Sequence, residues 1–322
     1  MRLVLVELSR FRSRRTIALL ALAAAVTAVV LAGVVAWDTR PLSGADRSDA
    51  SAQADLEGRS PGLQAELRAC RASPHDFLGP TATAADCDRA FLPGAQDYYP
   101  RHDLTLGGAL RQDGINLALV LAGLMVIAGA TFAGADWASG SLTNQLLFEP
   151  RRGRLWLAKA AAVGLGCAGL TAVVLAAFWV GLSLVMRSRG LDVPGGDVAT
   201  IAWHVLRAAA LGAGAGIGAF ALTMVFRHTV AALALLFVYA VGGEIALTVL
   251  PWSGAGRWSV GNNTYGWLSA HGTYFDPTIR CGPGERCGGM QTITHLQAGT
   301  FLGVLLVVAA LVSLLWFRRR DV

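Results

Sequence analysis

The chain has 322 residues, of which 54% are apolar and only 15% charged, with a mean hydropathy of +0.50. A soluble domain carries about 25% charged residues, so this composition excludes an ordinary water-soluble enzyme and points to a membrane protein. The net charge of +6 comes largely from arginines at the ends of apolar stretches, which makes it a topology signal and argues against a nucleic-acid partner.

A helix needs roughly 20 residues to cross a bilayer. Six stretches reach that length: Thr16–Trp37, Ile115–Ala135, Ala158–Met186, Ile201–Phe226, Val230–Leu250 and Ala298–Phe317. The expected fold class is an all-α integral membrane protein with six transmembrane helices.

Residues 1–15 precede the first span. Leu3, Val4, Val6, Leu8 and Phe11 alternate there with Arg10, Arg12, Arg14 and Arg15, which suits an amphipathic helix in the headgroup layer. A plain basic flank is the alternative. The first apolar stretch runs past the 7–15 residues of a signal-peptide core, so it reads as a retained span.

Asp38–Gly114 follows as a polar insert with twelve acidic residues against eight arginines. It contains Cys70 and Cys87, and the later loop Pro251–Gln297 contains Cys281 and Cys287. An even count in each loop predicts two local disulfides, Cys70–Cys87 and Cys281–Cys287, in an oxidising space. The rival, a metal site, finds no Cys-x-x-Cys spacing and no paired histidines. Cys167 lies within a span and reads as a small packing residue.

Asp136–Arg154 joins the second and third stretches. It opens on Asp136, passes a turn at Ser139, Gly140 and Ser141, and continues through Leu142, Leu146, Leu147 and Phe148 to Glu149 and Pro150. It ends on Arg151, Arg152, Gly153 and Arg154. Ser139 or Ser141 can cap a short helix, and Pro150 stops it at Glu149. Leu142 and Leu146, four apart, share a face that Leu147 and Phe148 widen. Asp136 is expected near Arg151, Arg152 or Arg154.

This loop resembles the cytoplasmic loop after the second span in permeases of the type-two ABC transporter family, over about 25 residues. The resemblance implies an interfacial elbow helix at residues 1–15 and a coupling helix in the loop. It implies ATPase-coupling roles for Asp136, Ser141, Leu142, Leu146, Phe148, Glu149, Arg151, Arg152 and Arg154. The motor is then a separate P-loop ATPase subunit in two copies, holding ATP and magnesium. The permease performs no covalent chemistry and holds no cofactor or metal. It works as a homodimer or with a similar chain, as an exporter. The insert Asp38–Gly114 departs from the pattern, being longer than the family's usual first outer loop.

Arginines at alternate span ends place the N- and C-termini on the cytoplasmic side of a multi-pass protein in the cell membrane. Lys159 is the single lysine and Ala160 follows it, so the sequence offers no Gly-Lys-Ser/Thr phosphate loop.

Two charged side chains lie well inside spans, Arg207 and Glu244, and His204 sits one turn from Arg207. Charges at such depth usually face a bundle interior or a cavity. Arg207 and Glu244, at similar depth on consecutive spans, are expected to pair, either as a structural clamp or as the lining of a path. Gly212, Gly214, Gly216 and Gly218 sit in an apolar helix, where small residues four apart allow close helix packing; a dinucleotide site would need a strand before them. Trp252, Trp258, Tyr265 and Trp267 fit either an interfacial aromatic belt or a re-entrant outer gate. Two other functions remain open: a non-transporting sensor or scaffold moved by an ATPase, and an intramembrane enzyme built on His204, Arg207 and Glu244.

Overall fold

The computed structural model describes residues 2–101, 103–249, 252–269, 272–276, 278–279 and 289–319. Six helices are long and apolar enough to cross a membrane. They are span 1 (Arg15–Asp38), span 2 (Leu106–Ala138), span 3 (Arg152–Ser188), span 4 (Gly195–Phe226), span 5 (Thr229–Leu247) and span 6 (His295–Arg319). Spans 2, 3 and 4 begin six to nine residues earlier than hydropathy suggests. The added turns hold glycine or charged residues (Gly107, Gly108 and Arg111 in span 2, Arg152 and Arg154 in span 3, Gly195, Gly196 and Asp197 in span 4), which lower the hydropathy without ending the helix.

The chain divides into two compact units. One comprises Met1–Gly33 and Leu106–Val322; the other is Val34–Thr105. In the first, spans 2, 3 and 4 form the centre, with 61, 39 and 44% of their apolar windows buried, against 17, 6 and 11% for spans 1, 5 and 6. Glycine sets how closely the central helices approach. A Cβ on Gly129 of span 2 would lie 2.0 Å from the Gly216 carbonyl oxygen of span 4, and one on Gly216 would lie 2.6 Å from the Cys167 sulfur of span 3. The predicted packing role of Gly212 and Gly216 is therefore met on spans 2 and 3, as is that of buried Cys167. Gly214 and Gly218 face Leu306 of span 6 more loosely, at 3.6 and 3.9 Å.

Two turns inside spans are π-helical: Leu110–Gly114 in span 2 and Tyr239–Gly243 in span 5. The fold is all-α as expected, and the strands among the described residues form one two-stranded ribbon between spans 5 and 6. After a helix at Val260–Leu268, strands Gly272–Phe275 and Met290–Ile293 pair antiparallel, with Gly272 opposite Ile293. Cys281 and Cys287 lie outside the described residues.

The second unit packs short helices Gly44–Gly58, Pro61–Ala72, Pro74–Leu78 and Ala84–Phe91. Its small core is Leu67, Cys70 and Cys87 with Phe91 against them. Cys70 and Cys87 form a disulfide with Cα atoms 5.9 Å apart, as their shared loop predicts. The unit ends at Thr105, not Gly114, because span 2 starts early.

Candidate functional site

The N-terminal helix Arg2–Arg12 forms. Leu5 and Val6 are exposed, while Glu7 and Phe11 are buried. Phe11 meets Phe132 edge-on, with ring centroids 5.4 Å apart, and occupies the space beside Gly166 of span 3. The helix is therefore docked into the bundle by one aromatic and one acid.

That acid belongs to a buried ionic cluster. Lys159 Nζ of span 3 donates to Glu7 Oε2 at 2.8 Å and to Asp136 Oδ2 of span 2 at 2.5 Å. Arg14 donates to Asp136 Oδ1 at 2.5 Å and to the Phe132 carbonyl at 3.2 Å. Arg10 closes on Glu7 at 3.2 Å. Glu7, Asp136 and Lys159 are each no more than 2% exposed. Burying isolated charges costs several kcal/mol each, so they persist only when paired and hydrogen-bonded on every side. Here the Phe132 ring also lies 4.7 Å from the Arg14 guanidinium and 5.3 Å from Lys159 Nζ, offering its electron-rich face to both.

The expected pairing of Asp136 with the loop arginines is thus corrected to Arg14 and Lys159. Arg154 turns instead to Glu149 at 3.6 Å, in an exposed pair. Arg151 is exposed and Arg152 half-buried. A proline-terminated loop keeps these arginines at the helix mouth, whereas Asp136, one turn inside span 2, points into the bundle.

From Asp136 the cluster reaches the loop helix Ser141–Phe148 through the Ser141 hydroxyl, which donates to Oδ1 at 3.1 Å. Neither serine caps this helix. Gly140 is the N-cap, in the left-handed region at φ +65°, and the Ser139 hydroxyl donates back to the Ala135 carbonyl at 2.7 Å. The left-handed turn folds the loop back sharply, which glycine permits without steric cost. The helix ends before Pro150, with Glu149 extended.

The apolar residues of this short helix split into two sets. Leu142 is 1% exposed, and Leu146 packs beside it on the core of spans 2, 3 and 4. Leu147 and Phe148 are 78% and 91% exposed. The free apolar surface is therefore Leu147 and Phe148, not the Leu142–Leu146 pair. Nearby, Arg227 sits in a left-handed turn at φ 58° between spans 4 and 5, its guanidinium 4.7 Å from the Trp137 ring. Trp137 in turn meets Phe317 of span 6 edge-on.

At the other end of the bundle the three intramembrane polar residues have separate partners. His204 Nε2 bonds to the Gly114 carbonyl at 3.2 Å, beside Trp179. Gly114 is the last residue of the π turn of span 2. Arg207 bonds to His295 Nε2 at 3.0 Å; His295 Nδ1 bonds to the Gly266 carbonyl at 3.0 Å. Trp267 Nε1 donates to the Arg207 carbonyl at 2.9 Å. Glu244 accepts from the Ser259 hydroxyl at 2.5 Å and the Gly261 amide at 3.0 Å. It satisfies donors at the start of helix Val260–Leu268. The expected Arg207–Glu244 pair is replaced by two anchors, both tying spans to this intervening helix.

The aromatics divide as well. Trp267 is pinned by its indole bond and Trp258 stacks edge-on to Phe301, at 6.1 Å. Trp252 and Tyr265 stay exposed. Asn262 donates to the Gly256 carbonyl at 2.9 Å and is half-buried.

Glu7, Arg14 and Lys159 carry no motif. The available signals were a single lysine in an arginine-rich chain and a single acid among the first fifteen residues. Among the described residues no group of three or more His, Cys, Asp or Glu side chains could hold a metal ion. Fold and site define a helical, multi-pass membrane protein with a buried ionic cluster beneath a half-exposed loop helix. Compared with protein-family models, curated proteins and solved structures, the chain matches none.

Proposed function

We propose that the chain is the permease subunit of an ATP-driven membrane transporter of the type-two ABC kind, moved by separate ATPase subunits that dock on the loop helix. One observation carries this reading. The helix Ser141–Phe148 is clamped on one side by Leu142, Leu146 and the Ser141–Asp136 bond, and offers bare Leu147 and Phe148 on the other. A short apolar knob on a rigid mount suits insertion into a groove of a partner. The ionic cluster supports the same reading: a push on the loop helix reaches the N-terminal helix through Asp136, Lys159 and Glu7, and spans 2 and 3 move with it. In this scheme the loop faces the cytoplasm, Arg2–Arg12 is the elbow helix, and two permease chains enclose the path in the cell membrane. A polysaccharide, lipid or drug-like cargo is carried outwards. A non-transporting sensor is the second reading, favoured by the polar, disulfide-stapled unit Val34–Thr105.

The test is isolation of tagged chain from native membranes in mild detergent, followed by assay of ATP hydrolysis. Phe148→Asp should lower the co-purified ATPase activity at least tenfold with unchanged yield of folded chain, while Thr143→Ala leaves it intact. Recovery of no ATPase with the wild type, or equal activity in the Phe148→Asp sample, rejects the proposal. Coupled ATP hydrolysis without substrate flux in vesicles selects the sensor reading.

A further inference from the structure

At the end of the bundle away from the ionic cluster, a cleft of about 430 Å³ opens between the first turns of span 2, the first turns of span 4 and the end of helix Val260–Leu268. That volume falls in the range of small-molecule sites. The floor is apolar, from Leu110, Ile115, Ile201 and Leu268, and two opposite charges line it, Arg111 and Asp197. Arg111 belongs to the π turn of span 2, a distortion that recurs at functional sites.

Among the described residues neither charge has an ion-pair partner within 4.0 Å; Arg111 is exposed and Asp197 half-buried, so water solvates both and a ligand seated between them must replace that water. Asp197 lies in the first turn of span 4, and the helix dipole accounts for an acid there. It does not account for a cation lining the same apolar cleft. The Ser269 hydroxyl, another lining group, is buried without a hydrogen-bond partner. A ligand cation alone would meet Arg111, an anion alone would meet Asp197, and a purely apolar molecule would strip water from both charges without replacing it.

We propose that this cleft binds a zwitterionic amphiphile. Its ammonium group lies on Asp197, its phosphate on Arg111, and its alkyl chain on the floor formed by Leu110, Ile115, Ile201 and Leu268. Arginine suits the phosphate because its planar fork makes paired charge-assisted bonds. The site is a property of this chain and does not depend on an ATPase partner, so its failure and that of the transport reading are separable.

The full chain, purified alone in detergent, is titrated with fluorescent lysophosphatidylethanolamine. Unlabelled lysophosphatidylethanolamine, an anionic lysophosphatidylglycerol and an alkyltrimethylammonium of equal chain length serve as competitors. The expected result is saturable binding, displaced at least tenfold better by the zwitterion than by either singly charged competitor. Arg111→Gln and Asp197→Asn should each weaken binding about tenfold, the effect of losing one charge-assisted bond of about 1.4 kcal/mol. They should also shift preference in opposite senses, Arg111→Gln towards the cation and Asp197→Asn towards the anion. Equal competition by all three head groups, or variants that bind like wild type, overturns the proposal and leaves simple partition into an apolar surface. If either neutral variant melts below wild type, Arg111→Met or Asp197→Ser replaces it and is held to the same shift in competitor preference; an unaltered ranking counts against the site. Competition by diacyl phosphatidylethanolamine in nanodiscs identifies the bilayer as the source, and competition by the lysolipid alone identifies a free amphiphile.

Discussion

The membrane-spanning unit and the polar unit Val34–Thr105 are both helical, yet they are held together by different means. In the first, helices touch through glycine at Gly129 and Gly216 and are pinned by one buried ionic cluster. In the second, two helices begin with side-chain caps, Ser43 to Asp46 and Thr83 to Asp86, and the Cys70–Cys87 disulfide joins Pro61–Ala72 to Ala84–Phe91. The solvent explains the contrast. In a bilayer, backbone groups must be satisfied within the helix and apolar surface gains nothing by leaving lipid, so close contact and rare polar bonds select the arrangement. In water, a unit this small buries too little surface for its core to suffice, and staples and caps supply the rest.

The comparison can be broken most sharply at Lys159. Lys159→Met leaves Glu7 and Asp136 buried without their shared cation, and removing one partner of a buried ion pair costs about 3–5 kcal/mol. Thermal unfolding in detergent should fall markedly, and the N-terminal helix should become open to protease at Arg10 and Arg12. The triple replacement Glu7→Gln, Asp136→Asn, Lys159→Met should recover part of the loss, since no buried acid is left without a cation and only the more exposed Arg10 and Arg14 lose their partners. No change on Lys159→Met alone would remove the cluster from the fold's supports.

Cys70→Ser comes next. Removing a disulfide that closes a loop of 17 residues costs about 3 kcal/mol by loop entropy. The loss should be confined to the polar unit: limited trypsin digestion should cut at Arg68, Arg71 or Arg89, while the melting of the spans stays put. Joint loss of both units would show that they are not independent.

Gly129→Val should have a smaller effect. The added carbon would press on the Gly216 carbonyl, and overpacking of this kind costs about 1–3 kcal/mol. Gly123→Val, with nothing within 4 Å of its Cβ position, is the neutral control on the same helix.

The mildest effect is acid sensitivity of the polar unit. The Ser43 backbone amide and hydroxyl hold the Asp46 carboxyl below its ordinary 3.8, and Arg101 adds to this against desolvation. Thr83 does the same for Asp86. A carboxyl depressed in the folded state contributes stability that is fully present above the unfolded pKa and lost as pH falls through the folded one. Trypsin-independent probes such as helical circular dichroism should therefore hold steady from pH 7 to about 5 and decline below about 4. Asp46→Asn should flatten that decline.

The six spans were legible because a run of apolar residues long enough for a bilayer has few other uses. The Cys70–Cys87 pairing was legible because both cysteines share one polar insert that holds no other cysteine. Other features were not, for specific reasons. Leu142, Leu146, Leu147 and Phe148 are all apolar, and a helix of two turns shows too little periodicity to say which pair faces the core. Asp136 has cations within reach on both sides in sequence, and only the fold brings Arg14, more than one hundred residues away, ahead of Arg151 or Arg154. Arg207 and Glu244 were matched by depth alone, which ignores rotation about the helix axis and the helix Val260–Leu268 that receives Glu244.

By itself, then, the sequence determined the solvent of each segment: six stretches for lipid, one stapled unit for water, and arginines for the boundary between them. Composition settles these matters because transfer free energies add along the chain. The tertiary structure alone decided which polar groups meet. Glu7 joins Lys159, Arg207 joins His295, and Arg111 lines one cleft with Asp197. Such meetings depend on helix rotation and crossing, which glycine contacts set and no local pattern encodes.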